Sequence, residues 1–140
     1  MKTVFVDTLF YLALANGDDE YHDVAGEFER SFRGRLITTE YVLVEVLDAL
    51  TGGDLRELGL AIVEAAIEDD ATAVIPAGTE LFGRARELFR QRADKQWGIT
   101  DCISFVVMQE QGVREALTAD HHFEQAGFRA LLRGASAQGE

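Results

Sequence analysis

At 140 residues the chain is expected to form one domain over 1–134 with a frayed tail at 135–140, enough for a sizeable core. Its 47% hydrophobic and 27% charged residues suit a soluble globular protein, and no apolar stretch nears the roughly 20 residues of a membrane span. A net charge of −12 argues against a nucleic-acid binder of the usual basic kind, and the single cysteine, Cys102, excludes an internal disulfide and fits a reducing cytoplasm.

Thr3 to Val6 predicts a short buried strand that ends at Asp7 and carries no secretory-signal pattern. A helix over Thr8 to Ala15 closes at Asn16-Gly17, and a second follows from about Tyr21 to Phe32, with Val24, Ala25, Phe28 and Phe32 on one face. Leu36 to Thr38 predicts a second strand, and Thr39 is placed to cap a third helix running to Leu50. In that helix Glu45 interrupts an apolar run, beside the stripe of Leu43, Val46, Leu47 and Leu50. A fourth helix spans Asp54 to Asp69, with Leu58, Ile62, Ala65 and Ala66 as its core face. Thr72 to Ile75 is a third strand, stopped by the only proline, Pro76.

The fifth helix, about Thr79 to Ala93, is expected to bury Leu81, Phe82, Ala85, Leu88 and Phe89. It also carries Arg84, Arg86, Arg90 and Arg92, with Lys95 just beyond, a basic strip on an acidic protein. Thr100 is expected to cap a sixth helix whose first turn holds Asp101. Ala116 to Ala119 predicts a fourth strand, His121 to Ala126 a short helix, and Phe128 to Leu132 a last strand. Strands alternating with helices, and no hairpin signal, make an α/β chain with a parallel sheet covered on both faces.

In such sheets ligands bind beyond the carboxyl ends of the strands, where strand order reverses. Asp7 and Asp120 follow the first and fourth strands, Glu45 lies about two turns into the third helix, and Asp101 opens the sixth. If the first and fourth strands are neighbours, all four acids face one edge. Carboxylates crowded there repel one another unless some stay protonated or a cation intervenes, and an all-oxygen set suits Mg²⁺ or Mn²⁺. Taken singly, each acid has a structural use: Asp7 and Asp120 suit helix N-caps, Asp101 complements a helix dipole, and Glu45 suits a surface face. One cysteine and three histidines (His22, His121 and His122) make no zinc cluster without carboxylate help.

Four stretches, VFVDTLFYLAL, LITTEYVLVEVLDAL, WGITDCISFVVMQEQG and ALTADHHFEQAGF, resemble the PIN-domain nucleases, most closely the VapC-type toxins of toxin–antitoxin pairs. The resemblance covers nearly the whole chain and implies a doubly wound sheet ordered 3-2-1-4-5. It implies that Asp7, Glu45, Asp101 and Asp120 are catalytic and hold one or two Mg²⁺ ions, with Mn²⁺ able to substitute. Thr8 and Thr39 fall near the polar positions of that metal site. The implied activity is metal-dependent hydrolysis of RNA phosphodiester bonds, in tRNA or rRNA, by a cytoplasmic homodimer that a VapB-type antitoxin neutralises. Gly98 stands where the family often has Ser, and Ala119 where a polar residue is frequent. Asp94 is expected to cap a loop, His121 and His122 to be exposed, and Cys102 to be a small buried side chain. The strip from Arg84 to Lys95 is the candidate for meeting RNA.

Three other readings are separable. A PIN module that binds RNA or a protein without cutting is kept open by the net charge. A dehalogenase-like phosphatase needs a second Asp where this chain has Leu9. A phosphoacceptor receiver needs an Asp where it has Ile75-Pro76.

Overall fold

A strand covered on both faces needs apolar side chains pointing both ways. β1 (Thr3–Val6) supplies them, with Val4, Phe5 and Val6 all fully buried. The computed structural model describes residues 1–138, with side chains to Gly134. After β1 come α1 (Thr8–Ala15), α2 (His22–Ser31), β2 (Arg35–Thr39), α3 (Glu40–Ala49), α4 (Leu55–Glu68) and β3 (Thr72–Ile75). They are followed by α5 (Thr79–Gln91), α6 (Ile99–Gln111), β4 (Glu115–Leu117), α7 (His121–Gln125), β5 (Arg129–Ala130) and α8 (Leu131–Gln138). The strands form one all-parallel sheet in the order β3-β2-β1-β4-β5, as expected.

That order puts the reversal between β1 and β4. Phe5 registers with both Ile37 and Ala116, and Val6 with Leu117. The Asp7 N–H reaches the Leu117 carbonyl at 3.4 Å, so the ladder continues to the residue that leaves the sheet. α5 packs against α6, while α1 packs against α2 and α3, and α3 against α4. The α3–α4 approach is close: a β-carbon on Gly59 would lie 3.0 Å from that of Leu50. Behind the reversal an aromatic chain joins three elements, Trp97–Phe105 at 5.0 Å, Phe105–Phe123 at 4.9 Å and Phe5–Phe123 at 6.4 Å between ring centres. Edge-to-face contacts of this kind add to the burial itself, and they pin short α7 to the core.

Several boundaries differ from expectation. Strand β5 is only two residues, and the chain turns at once into α8, because Leu132 (1% exposed) is drawn into the core and its N–H bonds the Thr118 carbonyl at 3.2 Å. Of the tail expected at 135–140, residues 135–138 continue α8, and residues 139–140 lie outside the described residues. β4 is Glu115–Leu117, so Thr118 and Ala119 lie beyond it. The cap of α6 is Gly98 rather than Thr100, which sits inside the first turn. On α4 the buried residues are Gly59, Val63 and Ala66, with Leu58 and Ala65 exposed and Ile62 half-buried; on α5 Leu81 and Ala85 are buried while Phe82 and Phe89 are exposed. The buried arc of each helix is narrower than its apolar stripe. Among the described residues no helix is long and apolar enough to cross a membrane.

Candidate functional site

The carboxyl edge of β1 and β4 gathers the predicted acids through a set of short hydrogen bonds. Asp7 is buried, but its side chain makes no cap to α1; its Oδ2 instead accepts from the Thr118 hydroxyl at 2.7 Å. Thr118 is itself fully buried, and its Oγ1 accepts the Asp120 N–H at 3.1 Å. One hydroxyl therefore ties Asp7 to Asp120 across the strand reversal. Burial pushes the Asp7 carboxyl up to about 7, and the charges of Asp101 and Glu45 push the same way. The Thr118 hydroxyl and the Thr8 amide oppose them.

Asp120 caps α7, its Oδ1 accepting the His122 N–H at 2.9 Å. Asp101 lies in the first turn of α6, where Oδ2 accepts the Gly98 N–H at 3.1 Å and contacts His122 Nδ1 at 3.0 Å. The structural uses of Asp101 and Asp120 are thus realised, and they orient carboxylates that remain partly exposed. Glu45 is exposed rather than held in the apolar run around it: Val42, Leu43 and Val46 turn inward, and the carboxylate points out. The Thr8 hydroxyl donates to Glu45 Oε1 at 2.7 Å, bringing Thr8 to an acid. Thr39, by contrast, uses its hydroxyl to accept the Val42 N–H and cap α3, as its position predicted, and bonds none of the four acids.

Two contributors were not singled out from the sequence. Thr118 carries a sequence signal, a hydroxyl two residues before an acid just past the fourth strand, with the apolar Ala119 standing between them. His122 was expected to be exposed, but its side chain is 21% accessible and bridges Asp101 and Asp120, while His121 is exposed as expected. Among the described residues, one group of His, Cys, Asp and Glu brings three ligand atoms within 4.8 Å of one another: Asp120, His121 and His122. The four acids stand wider apart than that, linked by Thr8, Thr118 and His122.

The donor set fits a divalent cation. It offers hard carboxylate oxygens, and Asp7 is a buried acid with no cationic side chain bonded to it. Asp94 is engaged elsewhere, accepting from Arg92 through both oxygens at 3.0 Å, which holds its carboxyl down at about 2. Cys102 is buried, and that burial and then Asp101 raise its thiol, which suits packing rather than nucleophilic attack.

The basic strip is largely neutralised within the chain. Arg84 pairs with Glu110 at 2.6 Å, Arg90 with Glu87 and Arg92 with Asp94, while Arg86 lies over the Phe82 ring. A groove of about 700 Å³ runs beside it, lined by Arg86, Phe89, Lys95, Trp97 and Cys102 among others.

Comparison with known proteins agrees with this fold. A family model described as the PIN domain matches residues 4–129. The chain is 30% identical over 128 residues to a protein of Mycobacterium tuberculosis (strain CDC 1551 / Oshkosh) named the 23S rRNA-specific endonuclease VapC20. That alignment covers 89% of this chain and 95% of the relative. The crystal structure of Mycobacterium tuberculosis VapC20, described as a sarcin-ricin loop cleaving toxin, superposes with a TM-score of 0.79 at 28% identity over 89% of this chain and 95% of that one. VapBC2 from Rickettsia felis, bound to a DNA fragment from its promoter, shares the fold at a TM-score of 0.61 and 12% identity, covering 91% and 96%.

Proposed function

The chain belongs to the PIN-domain family, and from that premise we propose that it is a VapC-type endoribonuclease toxin that hydrolyses RNA phosphodiester bonds with the help of Mg²⁺ or Mn²⁺. The observation that carries the reading is the buried Asp7, set among Glu45, Asp101 and Asp120 without a cationic partner, in a relative of a ribosomal-RNA endonuclease. Asp7, Glu45, Asp101 and Asp120 are the residues that would hold the metal. When bound, it supplies Lewis acidity, stabilising charge on phosphoryl oxygens and acidifying water. The rest of the work belongs to the chain. Thr118 fixes Asp7 against rotation, Thr8 holds exposed Glu45 toward the edge, and the Gly98 N–H and His122 hold Asp101. Ligands aimed in advance spend little free energy on reorganisation.

The proposed substrate class is ribosomal or transfer RNA, by analogy with the named 23S rRNA endonuclease. The proposed partners are a VapB-type antitoxin and a second copy of the chain. The exposed Val44 on α3, Leu55, Leu58, Leu60 and Ile67 on α4, and Phe82 and Phe89 on α5 give such partners apolar surface to cover. The proposed compartment is the cytoplasm, in keeping with one unpaired cysteine.

The test is cleavage of total cellular RNA by purified protein with Mg²⁺, with Mn²⁺ and with chelator, beside Asp101→Asn. Discrete fragments that need metal and vanish in the folded variant support the reading; cleavage retained by Asp101→Asn refutes it. The alternative, a PIN module that binds RNA or protein without cutting, draws on the net charge of −12 and the self-paired arginines. Calorimetric titration with Mn²⁺ separates the two, because the alternative has no need to hold the ion.

A further inference from the structure

The histidines beside Asp120 lie outside the proposed carboxylate set, and their geometry is that of a different ligand. The Nδ1 atoms of His121 and His122 stand 3.7 Å and 3.5 Å from Asp120 Oδ1, and Asp101 Oδ2 stands 3.0 Å from the His122 nitrogen. A metal with arms of about 2.0–2.1 Å in tetrahedral array spaces its ligand atoms roughly 3.4 Å apart. The two histidine spacings from Asp120 lie close to that value, and the ligand atoms of Asp120, His121 and His122 all fall within 4.8 Å of one another, with Asp101 adjoining the group through His122. The two imidazoles lie 4.5 Å apart between ring centres, and His121, Asp120 and Asp101 all reach solvent.

Asp120 is already oriented for such use, because the His122 N–H occupies one lone pair of Oδ1 and fixes the plane of the carboxylate. Ligand softness then decides which ion prefers the group. Imidazole nitrogen adds little for Mg²⁺, which holds oxygen and water, but it favours ions late in the first transition row.

We propose that Asp120, His121 and His122 form a mixed nitrogen–oxygen site for a borderline divalent ion, Zn²⁺ being the representative, with water completing the coordination. The ligands are side-chain atoms, and the short helix that follows contributes only the amide that steadies Asp120. When Nδ1 of His122 takes the metal, its ring proton resides on Nε2 and its contact with Asp101 is given up. The site borrows Asp120 from the proposed carboxylate set on which the functional reading rests. Zn²⁺ there withdraws one of the four acids and takes His122 from its contact with another, so the two kinds of ion exclude each other. Occupancy by Zn²⁺ acts as a brake that leaves the fold untouched.

The test uses the full chain stripped of metal and needs no RNA, so its outcome is separate from whether the protein cuts. Calorimetry with Zn²⁺ and with Mg²⁺, and the visible absorption of Co²⁺ as a stand-in for Zn²⁺, are compared in the parent and in His121→Gln. His121 is exposed and bonds neither Asp7 nor Asp101, so the variant folds as the parent does. The expected result is a loss of Zn²⁺ affinity of about tenfold or more with Mg²⁺ affinity held within about twofold. The Co²⁺ bands should weaken and shift in His121→Gln and disappear when His122→Gln is added. Mg²⁺ added first should weaken Zn²⁺ binding. Unchanged Zn²⁺ affinity and Co²⁺ bands in His121→Gln, or Zn²⁺ and Mg²⁺ binding together without competition, overturn the site. Imidazole nitrogen resonances that do not move when Zn²⁺ is added to the parent protein overturn it as well.

Discussion

Replacing Asp7 by asparagine should make the metal-free protein more stable at neutral pH while abolishing cleavage. In the fold the Asp7 carboxyl titrates near 7, against 3.8 for a free side chain, chiefly because burial disfavours its charge. Below about pH 4 both folded and unfolded chains carry the proton, and the fold has its full stability with respect to this group. As pH rises toward 7 the unfolded chain gives up its proton first, so stability is lost across that window and levels off above it. The rise from 3.8 to about 7 corresponds to about 4 kcal/mol at most; relaxation around the site brings the expected loss to about 2–4 kcal/mol. The amide that replaces the carboxyl keeps an acceptor for the Thr118 hydroxyl but has no charge to desolvate. Urea denaturation in the presence of chelator, from about pH 4 to 8, should show the two proteins converging at the acid end and the variant leading by that margin at the other. Saturating Mn²⁺ should invert the order by stabilising only the parent. Parallel stability curves across the whole range would refute both the burial argument and the assignment of Asp7 as an acid awaiting a cation.

Thr118→Val leaves the Asp120 N–H and a buried oxygen of Asp7 without their partner. It should lower stability by about 1–3 kcal/mol and Mn²⁺ affinity by about tenfold, with Thr118→Ser restoring most of both in denaturation and calorimetry. Asp94→Asn should leave RNA cleavage unchanged, since that acid is taken by Arg92; a large drop in turnover would make it a fifth site acid. Phe123→Ala removes the ring that ties α7 to β1 and α6, and should cost about 3–5 kcal/mol in urea denaturation. Thr8→Val should reduce cleavage with little change in stability, because it frees exposed Glu45 rather than emptying the core; full activity would remove Thr8 from the site.

The alternation of buried runs with amphipathic ones was enough to read the sheet, because a parallel strand has no polar face to confuse the pattern. The acids were legible for a related reason: Asp7 directly follows β1, Asp120 lies three residues past β4, and the reversal of strand order makes those two strand ends adjacent. Which apolar residues of α4 and α5 face outward was not legible, since periodicity fixes the phase of a stripe and not the width of its buried arc. Leu58, Phe82 and Phe89 lie on the uncovered margin. Thr118 and His122 were hidden differently. Each joins neighbouring Asp120 to an acid distant in sequence, and only the local half of that link leaves a trace in the sequence. The turn from β5 into α8 depends on Leu132 meeting the core, again a tertiary outcome.

The arginines of α5 and its C-terminal turn have a consequence for how the protein would meet a polyanion. Arg84, Arg90 and Arg92 arrive with carboxylates already in place. A phosphate that engages one of them displaces a tethered acid, which stays nearby as a repelling neighbour, instead of liberating mobile ions into solution. The usual entropic reward of a cationic surface is therefore muted, and affinity should fall only gently as salt rises. Recognition of the proposed RNA substrate would then rest on its shape more than on the charge that every RNA shares, a form of selectivity obtained by withholding non-specific attraction.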